Sequence, residues 1–153
     1  MVRDPACGFD RWVLAGGCRA CRDHRTGAGR TQSRIAIQGF DPVSYFNEGE
    51  PLAGLQEHEF RHDGATWRFH SEANRAAFAK DPDLYMPRYG GHDPVAVGQG
   101  TARPGDPDFW AVRDKKLFLF QSEETKRDFE LDPGIMTMMA ETTWPYVRDT
   151  IAP

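Results

Sequence analysis

The feature that most constrains the fold is an internal echo. The stretch "DGATWRFHSEANRAAFAKDPDLY" (63–85) lies over "DKKLFLFQSEETKRDFELDPGIM" (114–136), displaced by 51 residues (63 to 114). Identities fall on Asp63/Asp114, Phe69/Phe120, Ser71/Ser122, Glu72/Glu123, Phe78/Phe129, Asp81/Asp132 and Pro82/Pro133. These residue types shape backbone. Asp63-Gly64 is a hairpin turn signal, Thr66 to Phe69 alternate in the manner of a strand, and Ser71 is placed to cap a helix whose Phe78 faces inward. Each copy therefore predicts a hairpin followed by a helix. Upstream, "GFDPVSY" (39–45) matches "GHDPVAV" (91–97), which extends the repeat to residues 39–86 and 91–137.

Both copies carry Asp-Pro where a helix is expected to start: aspartate accepts from free backbone N–H groups, and proline at the first helical position gives up a donor that had no partner. Asp81-Pro82 and Asp132-Pro133 are expected to use the same device. The copies differ at His70 against Gln121 and at Trp67 against Phe118. The glycine-rich "RYGGHDPVAVGQG" (88–100) reads as a tight crossing with no full counterpart in the first copy.

Length and charge bound the organisation further. A chain of 153 residues holds one ordinary domain with a real core. Its longest apolar runs are a few residues, too short for a membrane-spanning helix. The formal charge of −4 hides an asymmetry: residues 1–34 hold seven Arg, no Lys and three Asp, a net of +4, which leaves −8 for the remainder. Residues 1–33 read as a flexible, Arg- and Gly-rich basic arm, and residues 34–153 as an acidic folded body. That acidity argues against nucleic acid as the main partner.

All three cysteines, Cys7, Cys18 and Cys21, lie in the arm, so no disulfide staples the body. Cys18, Cys21 and His24, with Cys7 as a fourth ligand, have spacings that a zinc site can use. Arg22 stands where a haem-attachment motif needs histidine. "WVLAGGC" (12–18) has the outline of a lipoprotein signal end, but its apolar stretch is about four residues against the roughly 7 to 15 of an export signal. The sequence as written thus shows no export signal and points to the cytoplasm.

"HEFRH" (58–62) satisfies the His-Glu-x-x-His pattern of zinc hydrolases, which requires both histidines on one helical face. Here the stretch runs into the Asp63-Gly64 turn and a strand. Residues four apart on a strand are separated by about 13 Å, too far to share one zinc at bonds of about 2.1 Å. The loop at 88–100 matches neither nucleotide-binding glycine pattern. His70, at a strand-to-helix junction, is expected to bond to backbone or to serve as a ligand, with His92 and Asp93 presenting further ligand atoms beside it. Met136, Met138 and Met139 read as core filler on a helix.

"AIQGFDPVSYF", "GATWRFHSEANRAAFAKDPDLYMPRYGG", "AVGQG" and the closing "TTWPYV" resemble the YHS-domain family, in its small stand-alone branch, from residue 34 to residue 147. The resemblance implies a small α+β module, in many relatives exported to the periplasm, whose usual role is binding a transition-metal ion such as copper or zinc. Metal-associated YHS domains have cysteines where this chain has Ser44 and His70. Stand-alone relatives commonly have "GGYCA" where this chain has "GGHDP", which puts His92 and Asp93 at the Tyr-Cys positions. Histidine and aspartate suit Zn(II), Cu(II) or Ni(II) better than Cu(I).

The expectation is an α+β fold of two related hairpin-plus-helix units sharing one core, preceded by a flexible basic arm. Its expected function is that of a non-enzymatic YHS-like binding module for a transition-metal ion or small ligand, with His70, His92 and Asp93 as candidate metal ligands and Cys7, Cys18, Cys21 and His24 as a second set. A protein-interaction or scaffold domain without ligand is the alternative, and a zinc hydrolase through His58, Glu59 and His62 a third reading.

Overall fold

The computed structural model describes residues 34–151, and the arm expected over 1–33 lies outside them. The body is mixed α+β, as the hairpin and helix patterns predict. Its first half runs β1 (Arg34–Ile35), a 3-10 turn (Ala36–Gly39), α1 (Ser44–Asn47), β2 (Leu55–His62), β3 (Ala65–Phe69), α2 (Glu72–Lys80) and α3 (Pro82–Tyr85). Its second half runs a 3-10 turn (Arg88–Gly91), α4 (Pro94–Gly98), β4 (Asp106–Arg113), β5 (Lys116–Phe120), α5 (Glu123–Leu131) and α6 (Pro133–Ile151). No described helix is long and apolar enough to cross a membrane.

Two small sheets result. β3 pairs antiparallel with β2 and parallel with β1, while β4 and β5 form an antiparallel pair. Both hairpins turn through two residues with positive φ: Asp63 and Gly64 (49° and 73°), and Asp114 and Lys115 (50° and 59°). That geometry follows the right-handed strand twist. In the second turn it is adopted without a glycine. Both hairpins also slip register at one place, between Leu55 and Glu59 and between Asp106 and Trp110. Beside each slip a glycine lets two backbones meet. A Cβ on Gly54 would lie 2.5 Å from the Arg68 carbonyl carbon, and one on Gly105 would lie 2.5 Å from Leu119 Cβ.

The helix starts follow the sequence reading in part. Ser71 accepts from the Asn74 N–H (3.2 Å), and Ser122 and Thr125 bond reciprocally to each other's N–H at 3.3 Å each. Asp132 accepts from the Ile135 N–H (3.0 Å), but Asp81 makes no capping bond with its side chain; Pro82 alone marks the start of α3. Such caps contribute about 1 kcal/mol each.

Buried side chains gather into three clusters. Val43, Trp67, Phe69 and Phe78 form one in the first half; Phe118, Phe120, Phe129, Val97 and Ala140 belong to another in the second. The third joins the halves: Tyr45 packs with Leu117 and Leu119, its ring 5.3 Å from that of Trp110, and its hydroxyl donates to the Pro107 carbonyl (3.1 Å). Burial of Tyr45, with Asp108, Asp106 and Asp41 nearby, raises its phenol pKa. Of the methionines expected in the core, Met136 packs against the second cluster, whereas Met138 and Met139 are exposed on α6. The inward stripe of α6 (Pro133–Ile151) runs through Met136, Ala140, Trp144 and Val147, and Met138 and Met139 lie off it.

Candidate functional site

Asp41 and Asp93 are fully buried, and their carboxylates organise each half. Asp41 Oδ1 accepts from the Val43 N–H (2.8 Å), and Oδ2 accepts from the His70 N–H (2.8 Å) and the Asn74 side-chain amide (2.7 Å). Asp93 Oδ1 accepts from the N–H groups of Val95 (2.8 Å) and Ala96 (3.4 Å), and Oδ2 from the Gln121 N–H (2.8 Å). Each carboxylate thereby ties a turn to the end of a strand far along the chain. A buried carboxylate is tolerable only with such donors around it.

The candidate metal ligands are distributed over these two constructions. His70 is exposed beside Asp41, and its Nδ1 donates to the Ala53 carbonyl (3.3 Å), because a carbonyl only accepts. His92 stands next to Asp93, and its Nδ1 donates to the Tyr89 carbonyl (2.9 Å). Among the described residues no group of three or more His, Cys, Asp and Glu side chains is placed to hold a metal ion. His70 and His92 each have Nδ1 on a backbone carbonyl, and Asp93 has both carboxylate oxygens on backbone N–H groups. Cys7, Cys18, Cys21 and His24 lie outside the described residues.

His58 and His62 lie on strand β2, as their turn context predicts. His58 sits 3.5 Å from Glu72 and 3.8 Å from Glu57, while the His62 ring packs against Phe60 and Phe78. Glu72 has its pKa lowered by a hydrogen bond from Arg75, aided by the nearby charges of Arg75 and His58.

What the structure does bring together is a cleft of about 710 Å³. Its walls include both 3-10 turns. In the first, Ile37 (φ 47°) and Gln38 (φ 52°) are left-handed and precede Gly39 (φ 92°). In the second, Tyr89 (φ 54°) precedes Gly90 and Gly91 (φ 60° and 81°). So the loop that looked unmatched in sequence has a geometric counterpart in "AIQG". The two turns are held by corresponding bonds, Gly54 N–H to the Gly39 carbonyl and Gly105 N–H to the Gly91 carbonyl, each 2.8 Å. A left-handed β-branched residue such as Ile37 is a true outlier, and such strain costs on the order of 1–3 kcal/mol.

The rest of the lining is mostly apolar. Trp67, Leu119, Met86 and Trp144 contribute side chains, and Arg34, Gln38, Asp63, His92 and Arg148 contribute polar groups. Trp67 Nε1 donates to the His62 carbonyl (3.2 Å), so its one polar atom is committed. Trp144 sits 5.9 Å from the His92 ring and 5.8 Å from the Tyr89 ring. Burial, with Glu141 nearby, pushes the Tyr89 phenol up to about 12, so it stays protonated at neutral pH and donates to the Thr137 carbonyl (3.4 Å). Arg88 lies 5.7 Å from the Tyr89 ring centre and pairs with Glu141 at 3.3 Å.

Sequence reasoning named His92 but not Trp144 or Arg148 as site residues. "TTWPYV" was the signal for the first, as a motif with no assigned role. Two smaller hollows, of about 200 and 240 Å³, lie along α5 and α6. In comparison with known proteins, no family model, no curated protein and no solved structure matches this chain.

Proposed function

We propose that the chain is a non-enzymatic, YHS-like binding module, made of two copies of one hairpin-plus-helix unit, that holds a small organic ligand rather than a metal ion. The observation that carries this reading is the cleft of about 710 Å³ where the two strained turns, Trp67, Trp144 and His92 converge. Its size lies within the range of about 300–1,000 Å³ usual for small-molecule sites, and a mostly apolar lining with a few polar groups is their usual chemistry. Strained backbone concentrated at such a wall supports a binding role. The acidic body disfavours nucleic acid as the ligand, and a periplasmic location goes with the YHS reading.

A thermal-shift screen of small organic molecules tests this, read beside elemental mass spectrometry after loading with copper, zinc or nickel. Ligands are expected to raise the melting temperature of the wild type and to lose that effect in Trp144→Ala. Near-stoichiometric metal that disappears in a His70→Ala, His92→Ala variant would return the site to a metal ion.

A protein-interaction domain is the second reading. It is favoured by the exposed Leu131, Ile135, Met138 and Tyr146 on and beside α6. Concentration-dependent self-association measured by sedimentation velocity, reversed by Leu131→Ser, would support it.

A further inference from the structure

We propose that the cleft accepts a flat, apolar organic monoanion, a carboxylate or sulfonate on a ring system; this rests on the ligand-binding reading above. The argument begins with charge. The chain as a whole is formally −4, yet among the described residues the charged ones lining the cleft are Arg34 and Arg148 against Asp63 alone. The local sign is thus opposite to that of the molecule, with a surplus of one positive charge. One surplus cation suits a single anionic group, whereas a polyphosphate calls for several cations or a glycine-rich helix start.

Arg148 is also available for that role. Arg148 is exposed and, among the described residues, its one ion pair is to exposed Asp149, at 3.9 Å from Nε, a weak solvent-screened contact. Its guanidinium offers a planar fork of donors that matches carboxylate or sulfonate oxygens.

The apolar part of the ligand follows from the tryptophans. Trp67 has spent its N–H on the His62 carbonyl and is almost fully buried, so what it offers the cleft is ring surface. Trp144, tilted against His92 and edge-on to Tyr89, adds a second aromatic surface held by neighbours on two sides. Aromatic walls take flat rings, which pack in offset or edge-to-face contact. Arg148 follows Trp144 by four residues on α6, so one helix presents both the aromatic wall and the cation.

The test uses a matched pair of fluorescent probes, anilinonaphthalene sulfonate and its uncharged parent phenylnaphthylamine, titrated against the full chain. The sulfonate is expected to bind with one equivalent per chain and about tenfold more tightly than the parent, the effect of one charge-assisted contact. Arg148→Gln should bring the sulfonate down to the level of the parent and leave the parent unchanged. Trp144→Phe should weaken both, and Leu131→Ser, at the hollow of about 200 Å³ outside the cleft, should alter neither. Equal affinity for the two probes, insensitive to Arg148→Gln but weakened by Trp144→Phe, would overturn the anion class and leave the cleft as a binding site. No binding of either probe, or binding lost only in Leu131→Ser, would overturn the ligand-binding reading as well. Arg148 is exposed and outside the core clusters, so the decisive variant retains the fold.

Discussion

Asp93 shows how one residue can carry two sequence readings of unequal strength. As the neighbour of His92 it is a candidate metal ligand; as the first half of Asp-Pro it is a helix cap, and the structure has it as the cap of α4. The cap was legible because its acceptor and donors are adjacent in sequence. The bond to the Gln121 N–H was not, because that donor arrives from 28 residues away. Replacing a buried acceptor with an amide sets donor against donor, so Asp93→Asn and Asp41→Asn should each destabilise the fold by about 2–3 kcal/mol in urea unfolding. Lys115 makes the opposite case. Its φ of 59° is left-handed, its side chain is exposed, and the equivalent place in the other hairpin is Gly64. Lys115→Gly should raise stability by about 1 kcal/mol in the same assay, because the left-handed penalty exceeds the added chain entropy. The aspartates of the two turns marked the hairpins in sequence, but nothing in "DK" declared a positive φ.

At the scale of elements, strands and helices were readable because their signals are local. The aromatic alternation of "TWRF", the serine caps and the Asp-Gly turn each act within a few residues, and the strand assignment of "HEFRH" followed from its position before that turn. Register was not readable. The slips at Leu55/Glu59 and Asp106/Trp110 depend on Gly54 and Gly105 lying against the partner strand, a contact across the hairpin. Gly54→Ala and Gly105→Ala should therefore each cost about 1–3 kcal/mol, the range for forced overpacking, with the hairpin amide shifts in NMR moving most. The left-handed turn at "AIQG" escaped notice for a related reason: two of its four residues are types that seldom adopt that conformation, and the bonds that impose it come from Gly54 and the following chain. Composition pointed the methionines of α6 inward, yet the buried stripe through Met136, Ala140, Trp144 and Val147 leaves Met138 and Met139 on the outer face.

For the whole molecule, a single shared core was the expectation, and three clusters are found, with Tyr45, Leu117 and Leu119 bridging the halves. The cleft was the least legible feature, since its lining spans from Arg34 to Arg148 and no short motif contains it. Its tyrosine neighbour gives the molecule a pH limit. The Tyr89 phenol is raised from its ordinary value near 10 to about 12, so the unfolded chain loses this proton first as pH rises. The stability that burial of the neutral phenol contributes is complete below about pH 10 and is lost as pH climbs towards about 12. Urea midpoints should fall over that window, and Tyr89→Phe should make the fall shallower, leaving the part that comes from the buried Tyr45 phenol. The carboxylates of Asp41 and Asp93 have a kinetic consequence as well. The His70 and Gln121 amides stand at strand ends, where fraying ordinarily lets deuterium in within moments, but their acceptors belong to turns 29 and 28 residues upstream. Those two hydrogens can leave only when strand and turn part company, so they act as clocks for the separation of distant segments, slow where their neighbours are fast.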